Sequence, residues 1–183
     1  PIALPVLLLA TAAPAATVAQ EPSVLASSVP AAPAADPADV ASPEAIVAAL
    51  YDVISGDAGE VRDWDRFRSL LHPTARLTPA SVDGERKGVV RPVTADEYIA
   101  RNEPWLLEHG FYEREIARRA ERFGRVMHVW STYESLNSLS DAAPFARGIN
   151  SIQLFDDGER WWILSVYWQA ERPEWPLPVE YLP

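Results

Sequence analysis

Apolar and polar positions follow two different periods along this chain, and the change falls near Gly110. Upstream, apolar residues recur every three to four positions, the repeat of a helix that buries one face. Ser42-Pro43 opens the first such segment: the serine caps free N–H groups, and the proline sits where its missing N–H is not needed. Ile46, Val47, Leu50 and Ile54 follow at helical spacing with Tyr51 and Val53 beside them, and Gly56 stops the helix. A shorter helix is predicted over Trp64–Leu71, with Trp64, Phe67, Leu70 and Leu71 on one face and Pro73 just past its end. Thr94-Ala95-Asp96-Glu97 has the pattern of a capping box, so a third helix carrying Tyr98, Ile99, Trp105 and Leu106 starts there and bends or ends near Pro104.

Between these helices a strand is predicted over Ala75–Ala80, then a polar turn over Val82–Gly88 and a short return strand over Val89–Val93, whose Pro92 favours a sheet edge. Beyond Gly110 the period is two. Phe111–Arg122, Arg125–Ser135, Ala146–Phe155 and Trp161–Arg172 read as strands, with tight turns at Phe123-Gly124 and Asp157-Gly158. Three helices followed by an antiparallel meander predict an α+β fold with the helices gathered on one face of a strongly bent sheet. The last strand sets Trp161, Ile163, Ser165 and Tyr167 against Trp162, Leu164, Val166 and Trp168, apolar on both sides. One side builds the interior and the other needs cover.

The ends of the chain read differently. Ile2–Ala10 is apolar and gives way to small residues, the layout of a secretory signal over 1–19 with a cut after Ala19 and Thr17 at the minus-three position. The run is too short for a bilayer, which takes about 20 apolar residues. A basic region before it is missing, so the sequence is expected to start part-way into its precursor, with the protein periplasmic or secreted. A leader without a targeting role is the other reading. Residues 20–41 are Ala, Pro, Ser, Val and Asp without period, a composition that predicts a flexible linker to a domain over 42–172. The tail 173–183, with four prolines, Trp175 and Tyr181, is expected to run extended across the surface.

Composition narrows the partners. Against 26 Asp and Glu stand 16 Lys and Arg, a formal net charge of -10, so release of counterions from a phosphate backbone cannot drive binding. Nucleic acid and anionic membrane surfaces are excluded on that ground, and no membrane insertion is expected once the signal is removed. Lys87 is the only lysine, the imprint of a GC-rich bacterial coding sequence. With no cysteine, the chain has no disulfide, thiolate nucleophile or thiolate metal site, and its 7 Trp, 6 Tyr and 5 Phe must supply a core stable on packing alone.

The stretches WDRFRSLLHPTARL (64–77), VTADEYI (93–99), RVMHVWSTYES (125–135) and RGINSIQLFDDGERWWILSVYWQ (147–169) resemble the nuclear transport factor two-like superfamily, and within it the bacterial SnoaL-like group. The similarity spans roughly Ser42 to Arg172. It implies a cone-shaped α+β barrel, a cystatin-like roll in which a bent antiparallel sheet packs on three N-terminal helices. It also implies a cavity for a small apolar ligand and a homodimer through the outer sheet face, with the tail folding back over that face as the alternative. This fold carries isomerases, dehydratases, carriers and protein-binding modules alike, so it names no single chemistry.

Candidate residues follow from the pattern. His128, with a pKa suited to proton transfer, is a candidate acid or base, or else a histidine packed on the sheet. Strand alternation puts it on the same side as Trp130. His72 at the end of the second helix and Asp63 at its start are further catalytic candidates, each with a sufficient structural role at a helix end. Tyr51, Trp64, Tyr98, Trp105, Trp130 and Asn150 are the candidate ligand-binding residues. Asn150 and Gln153 lie on opposite faces of one strand, so at most one lines a cavity. The alternating acids and arginines of Glu113–Arg125 read as cross-strand pairs on a solvated surface. No nucleotide loop, nucleophile elbow, cofactor motif or metal-ligand spacing is present. The readings left are a ligand pocket of lyase or isomerase type and a non-catalytic module of the cell envelope acting through its sheet face.

Overall fold

A computed structural model describes residues 31–183, so the expected signal segment and the first half of the expected linker lie outside the described residues. The end of that linker is not free chain. Asp36 caps a single helical turn, α1 (Pro37–Val40), Val40 is buried, and Asp39 meets Arg66 at 2.7 Å. Folded structure therefore begins near Asp36 rather than at Ser42. One valine and one long-range ion pair anchor the turn, and neither shows in composition.

The helices start where their caps predict. Ser42 caps α2 (Pro43–Ile54), Asp63 caps α3 (Trp64–Leu70), and Thr94 with Glu97 forms the capping box of α4 (Ala95–Glu108). Pro104 does not end α4, which runs on for another turn. The loop between α2 and α3 is held by Arg62, almost fully buried, whose guanidinium donates to the carbonyls of Ile54, Gly56, Asp57 and Glu60 at 2.7–3.2 Å. The Ile54 carbonyl is an orphan at the end of α2, where a cation also complements the helix dipole. Gly56 is needed there: a Cβ at that position would sit 2.7 Å from the guanidinium carbon.

The six strands are β1 (Leu71–Val82), β2 (Gly88–Val90), β3 (Tyr112–Phe123), β4 (Val126–Leu136), β5 (Ala146–Asp156) and β6 (Trp161–Ala170), in the order β2-β1-β6-β5-β4-β3. The meander β3 to β6 is antiparallel as its turns predict, but β1 lies parallel to β6. The sheet is thus mixed rather than wholly antiparallel. Periodicity reports that a strand exists; it does not report which distant strand becomes its neighbour.

Two bulges set which side chains face the helices. Ile163 pairs with Leu154 and Ser165 with Gln153, so Leu164 is an extra residue and the alternation of β6 shifts there. After the bulge Val166 is buried and Tyr167 is 46% exposed, so Trp161, Ile163, Val166 and Trp168 share the inner face, which strict alternation separates. A second shift between Glu115 and Ala117 does the same in β3. The helices cover the inner face with Ile46, Val47, Leu50, Phe67 and Leu70, the positions the helical repeat singles out.

The tail takes up part of the outer face. Arg119 donates to the Glu180 carbonyl at 3.1 Å, Thr132 to the Tyr181 carbonyl at 2.8 Å, and the Tyr181 ring lies 5.8 Å from that of Trp130. Among the described residues no helix is long and apolar enough to cross a membrane.

Candidate functional site

Where the bent sheet opens away from α2, α3 and α4 it leaves a cavity of about 260 Å³. Leu50, Phe67, Leu77 and Val166 form its apolar floor and sides, and Phe111 and Phe145 also line it, Phe145 half exposed. Its polar groups are Tyr98, Asn102, Glu113, Tyr133, Ser135 and Asn150. Tyr98 is aimed from α4 by stacking on Phe67 at 5.3 Å and meeting Trp168 edge-on at 6.5 Å. Tyr133 crosses β5 where Gly148 leaves room; a Cβ there would come within 2.5 Å of its hydroxyl.

Glu113 is the only carboxylic acid among the residues that line this cavity. It sits at the start of β3, opposite Ser135, and its own backbone is tied to Ser55 beyond the end of α2. Ser135 donates to its Oε2 at 3.1 Å and Asn150 to its Oε1 at 3.4 Å. Among the described residues no cation is bonded to it. Loss of water therefore dominates and pushes its pKa up to about 7, against the pull of the two hydrogen bonds. The same burial, together with the nearby Glu113 charge, raises the Tyr98 and Tyr133 phenols, which stay protonated hydrogen-bond donors at any physiological pH.

Behind Glu113 lies a continuous polar chain. Asn150 Nδ2 donates to Tyr51 Oη at 3.0 Å, Tyr51 to Ser131 at 2.7 Å, and Ser131 to Glu115 at 2.6 Å; Arg118 then grips Glu115 with two nitrogens. These bonds polarise one another and fix the Asn150 amide, so the cavity wall is preorganised rather than adaptable. Two acids two residues apart thus have opposite settings: Glu115 is neutralised by an arginine, and Glu113 faces the cavity without one. A carboxyl half-protonated near neutrality, in an apolar space beside two phenols, can both take and return a proton.

The sequence candidates separate on this geometry. Tyr98 and Asn150 line the cavity, and Tyr51 stands one hydrogen bond behind it. Trp64 is buried between helices with its indole nitrogen on Glu103 at 2.7 Å, and Trp105 is 42% exposed, stacked on His109. Neither lines the cavity. The three catalytic candidates do not meet. Asp63 is spent as the cap of α3, His72 bonds Thr74 and packs edge-on against Trp162, and His128 bonds Ser151 on the outer face of the sheet. Trp130 lies on that outer face with it. The reason is register: Val129 and Ser131 of β4 face the helices, so His128 and Trp130 must face away. Glu113 escapes sequence reasoning because an acid in an alternating acid–arginine strand reads as solvated. The visible signal was the pairing of period-two neighbours Glu113 and Glu115 with the serine- and tyrosine-bearing face of β4.

No protein-family model matches the sequence, and no curated protein matches it. Solved structures do match in fold. A protein of unknown function with a cystatin-like fold from Nostoc punctiforme superposes with a TM-score of 0.52 at 10% identity, covering 73% of this chain and 90% of its own. The yeast UBP3-associated protein BRE5 gives 0.50 at 12% identity over 70% and 92%. A Xanthomonas campestris protein described as a calcium/calmodulin dependent protein kinase II association domain gives 0.50 at 17% identity over 73% and 91%. At such identities the likeness is one of fold alone. The chain has a cystatin-like α+β fold.

Proposed function

We propose that the cone takes up a compact, apolar ligand bearing a carbonyl group and that Glu113 moves a proton on it, an isomerase- or lyase-type step. The observation that carries this reading is the desolvated carboxyl of Glu113, with no cation bonded to it among the described residues, in a largely apolar cavity. In the ionised form Glu113 accepts a proton from the carbon next to the carbonyl. A phenol of Tyr98 or Tyr133 donates a hydrogen bond to the oxygen on which negative charge gathers. The Glu113 carboxylic acid then returns the proton to another carbon, completing an isomerisation, or to a departing hydroxide, completing an elimination. The cavity is slightly smaller than the roughly 300–1,000 Å³ of most ligand pockets, which favours one or two rings over a larger skeleton.

Exchange of α-hydrogens for deuterium tests this directly. With 2-cyclohexenone or 2-indanone in D2O, the protein is expected to accelerate exchange, and Glu113→Gln to lower that acceleration by about 10²–10⁴-fold, the range of a lost acid–base group. No acceleration by the wild type, or an unchanged rate in the variant, rules the reading out. The apolar leader supports export, so the ligand would be met in the periplasm or outside the cell; recovery of the mature chain only from the cytoplasmic fraction would contradict this.

A second reading, a non-catalytic envelope module acting through its sheet face, has its own observation. At the hairpin joining β3 and β4, beyond the reach of the tail, Phe123 is 86% exposed and Val126 53%. We place the proposed homodimer contact there.

A further inference from the structure

A second cavity, whose lining shares only Trp168 with the cone, lies on the opposite side of the sheet between the outer face of β4 to β6 and the C-terminal strap, and it measures about 520 Å³. Its floor is set by register. Trp130, Ser151 and Tyr167 are direct cross-strand neighbours on three adjacent strands, so a small residue stands between two aromatic ones. Strands lie about 4.8 Å apart, which puts the two aromatic residues roughly 10 Å from each other across Ser151. Two ring contacts of about 3.5–4.0 Å fit within that spacing, so the trough is one ring wide. Trp175 and Leu177 of the strap line the other side.

Two features specify the occupant. The acids at the rim are already paired, Glu171 with Arg147 at 2.9 Å and Glu174 with Arg86 at 3.3 Å, so the site offers no free charge to an ion. In addition, the Trp130 indole N–H is sealed from solvent and has no hydrogen-bond partner among the described residues. An orphan buried donor is destabilising and is rare in native proteins unless something else satisfies it. We infer that the trough between Trp130 and Tyr167, roofed by the C-terminal strap, binds a flat, uncharged aromatic molecule whose hydroxyl or carbonyl oxygen accepts the hydrogen bond of the Trp130 indole. The strap is joined to the rest of the fold by few bonds, from Arg119, Thr132, Glu171 and Arg86, and because the Trp130 N–H has no exposed surface in this structure, the strap must shift to bring that donor within reach of such a ring.

The test is titration of the full chain with 2-naphthol, followed by calorimetry and by the indole N–H resonance of Trp130, assigned by its loss in Trp130→Phe. Saturable binding that moves this resonance downfield is expected. Ser151→Trp fills the trough and Tyr167→Ala removes one wall, and each should weaken binding at least tenfold, whereas Glu113→Gln in the separate cone should change it less than twofold. Tyr167 is half exposed, so its truncation keeps the test valid if Ser151→Trp does not fold. An unmoved Trp130 resonance, or wild-type affinity in Tyr167→Ala, overturns the inference.

Discussion

Glu113 makes a prediction about stability that needs no knowledge of a ligand. Its carboxyl has an ordinary pKa of 4.5 in the unfolded chain and one of about 7 in the folded cone. A folded-state value raised in this way means that the native structure favours the protonated form. The contribution is complete below pH about 4.5 and is lost as the pH rises through about 7, amounting to about 3 kcal/mol. Glu113→Gln keeps an acceptor for Ser135 and cannot ionise. It should match the wild type in urea unfolding at pH 4.5 and exceed it by about 2–3 kcal/mol at pH 8. Equal stability at pH 8 would mean that the carboxyl is well solvated. The residue scale is also where sequence reasoning was weakest. Tyr98 was legible as inward-facing because a helix repeat places it, whereas strand alternation set Asn150 and Gln153 on opposite faces without saying which of them lines the cavity. His128 was not placed, since alternation says only that it shares a side with Trp130, and Glu113 was hidden by its charge.

At the scale of elements, caps and turns carried most of the information. Ser42, Asp63 and Thr94 each start the helix they predict, because a side-chain oxygen satisfying an orphan N–H is a local event. Bulges are not local in that sense. Leu164 and the shift beside Glu115 arise from fitting bent neighbours together, and nothing in their own strands announces them. The join between α2 and α3 was likewise unreadable: Arg62 looks like a surface arginine and is instead the donor to four backbone carbonyls. Arg62→Ala leaves those carbonyls unsatisfied and should destabilise the protein by about 3 kcal/mol or more, measured by chemical denaturation. A loss under 1 kcal/mol would show that water replaces the guanidinium without strain.

For the molecule as a whole, the order of three main helices followed by a meander was enough to give the α+β class, while the parallel pairing of β1 with β6 and the anchored turn at Pro37–Val40 came only with the structure. The outer sheet face had two expected covers, and the strap supplies one of them in part. If the exposed hairpin of Phe123 and Val126 is a self-association surface, sedimentation should show a dimer that Phe123→Ser with Val126→Ser converts to a monomer; a wild-type monomer at all concentrations would leave that surface unused. The account of function rests on the cone desolvating a single acid. That is measured most directly by a carbon-13 NMR pH titration of the Glu113 side-chain carboxyl, assigned by its absence in Glu113→Gln. A midpoint near 7 is predicted, and a midpoint at the ordinary value of about 4.5 would contradict it.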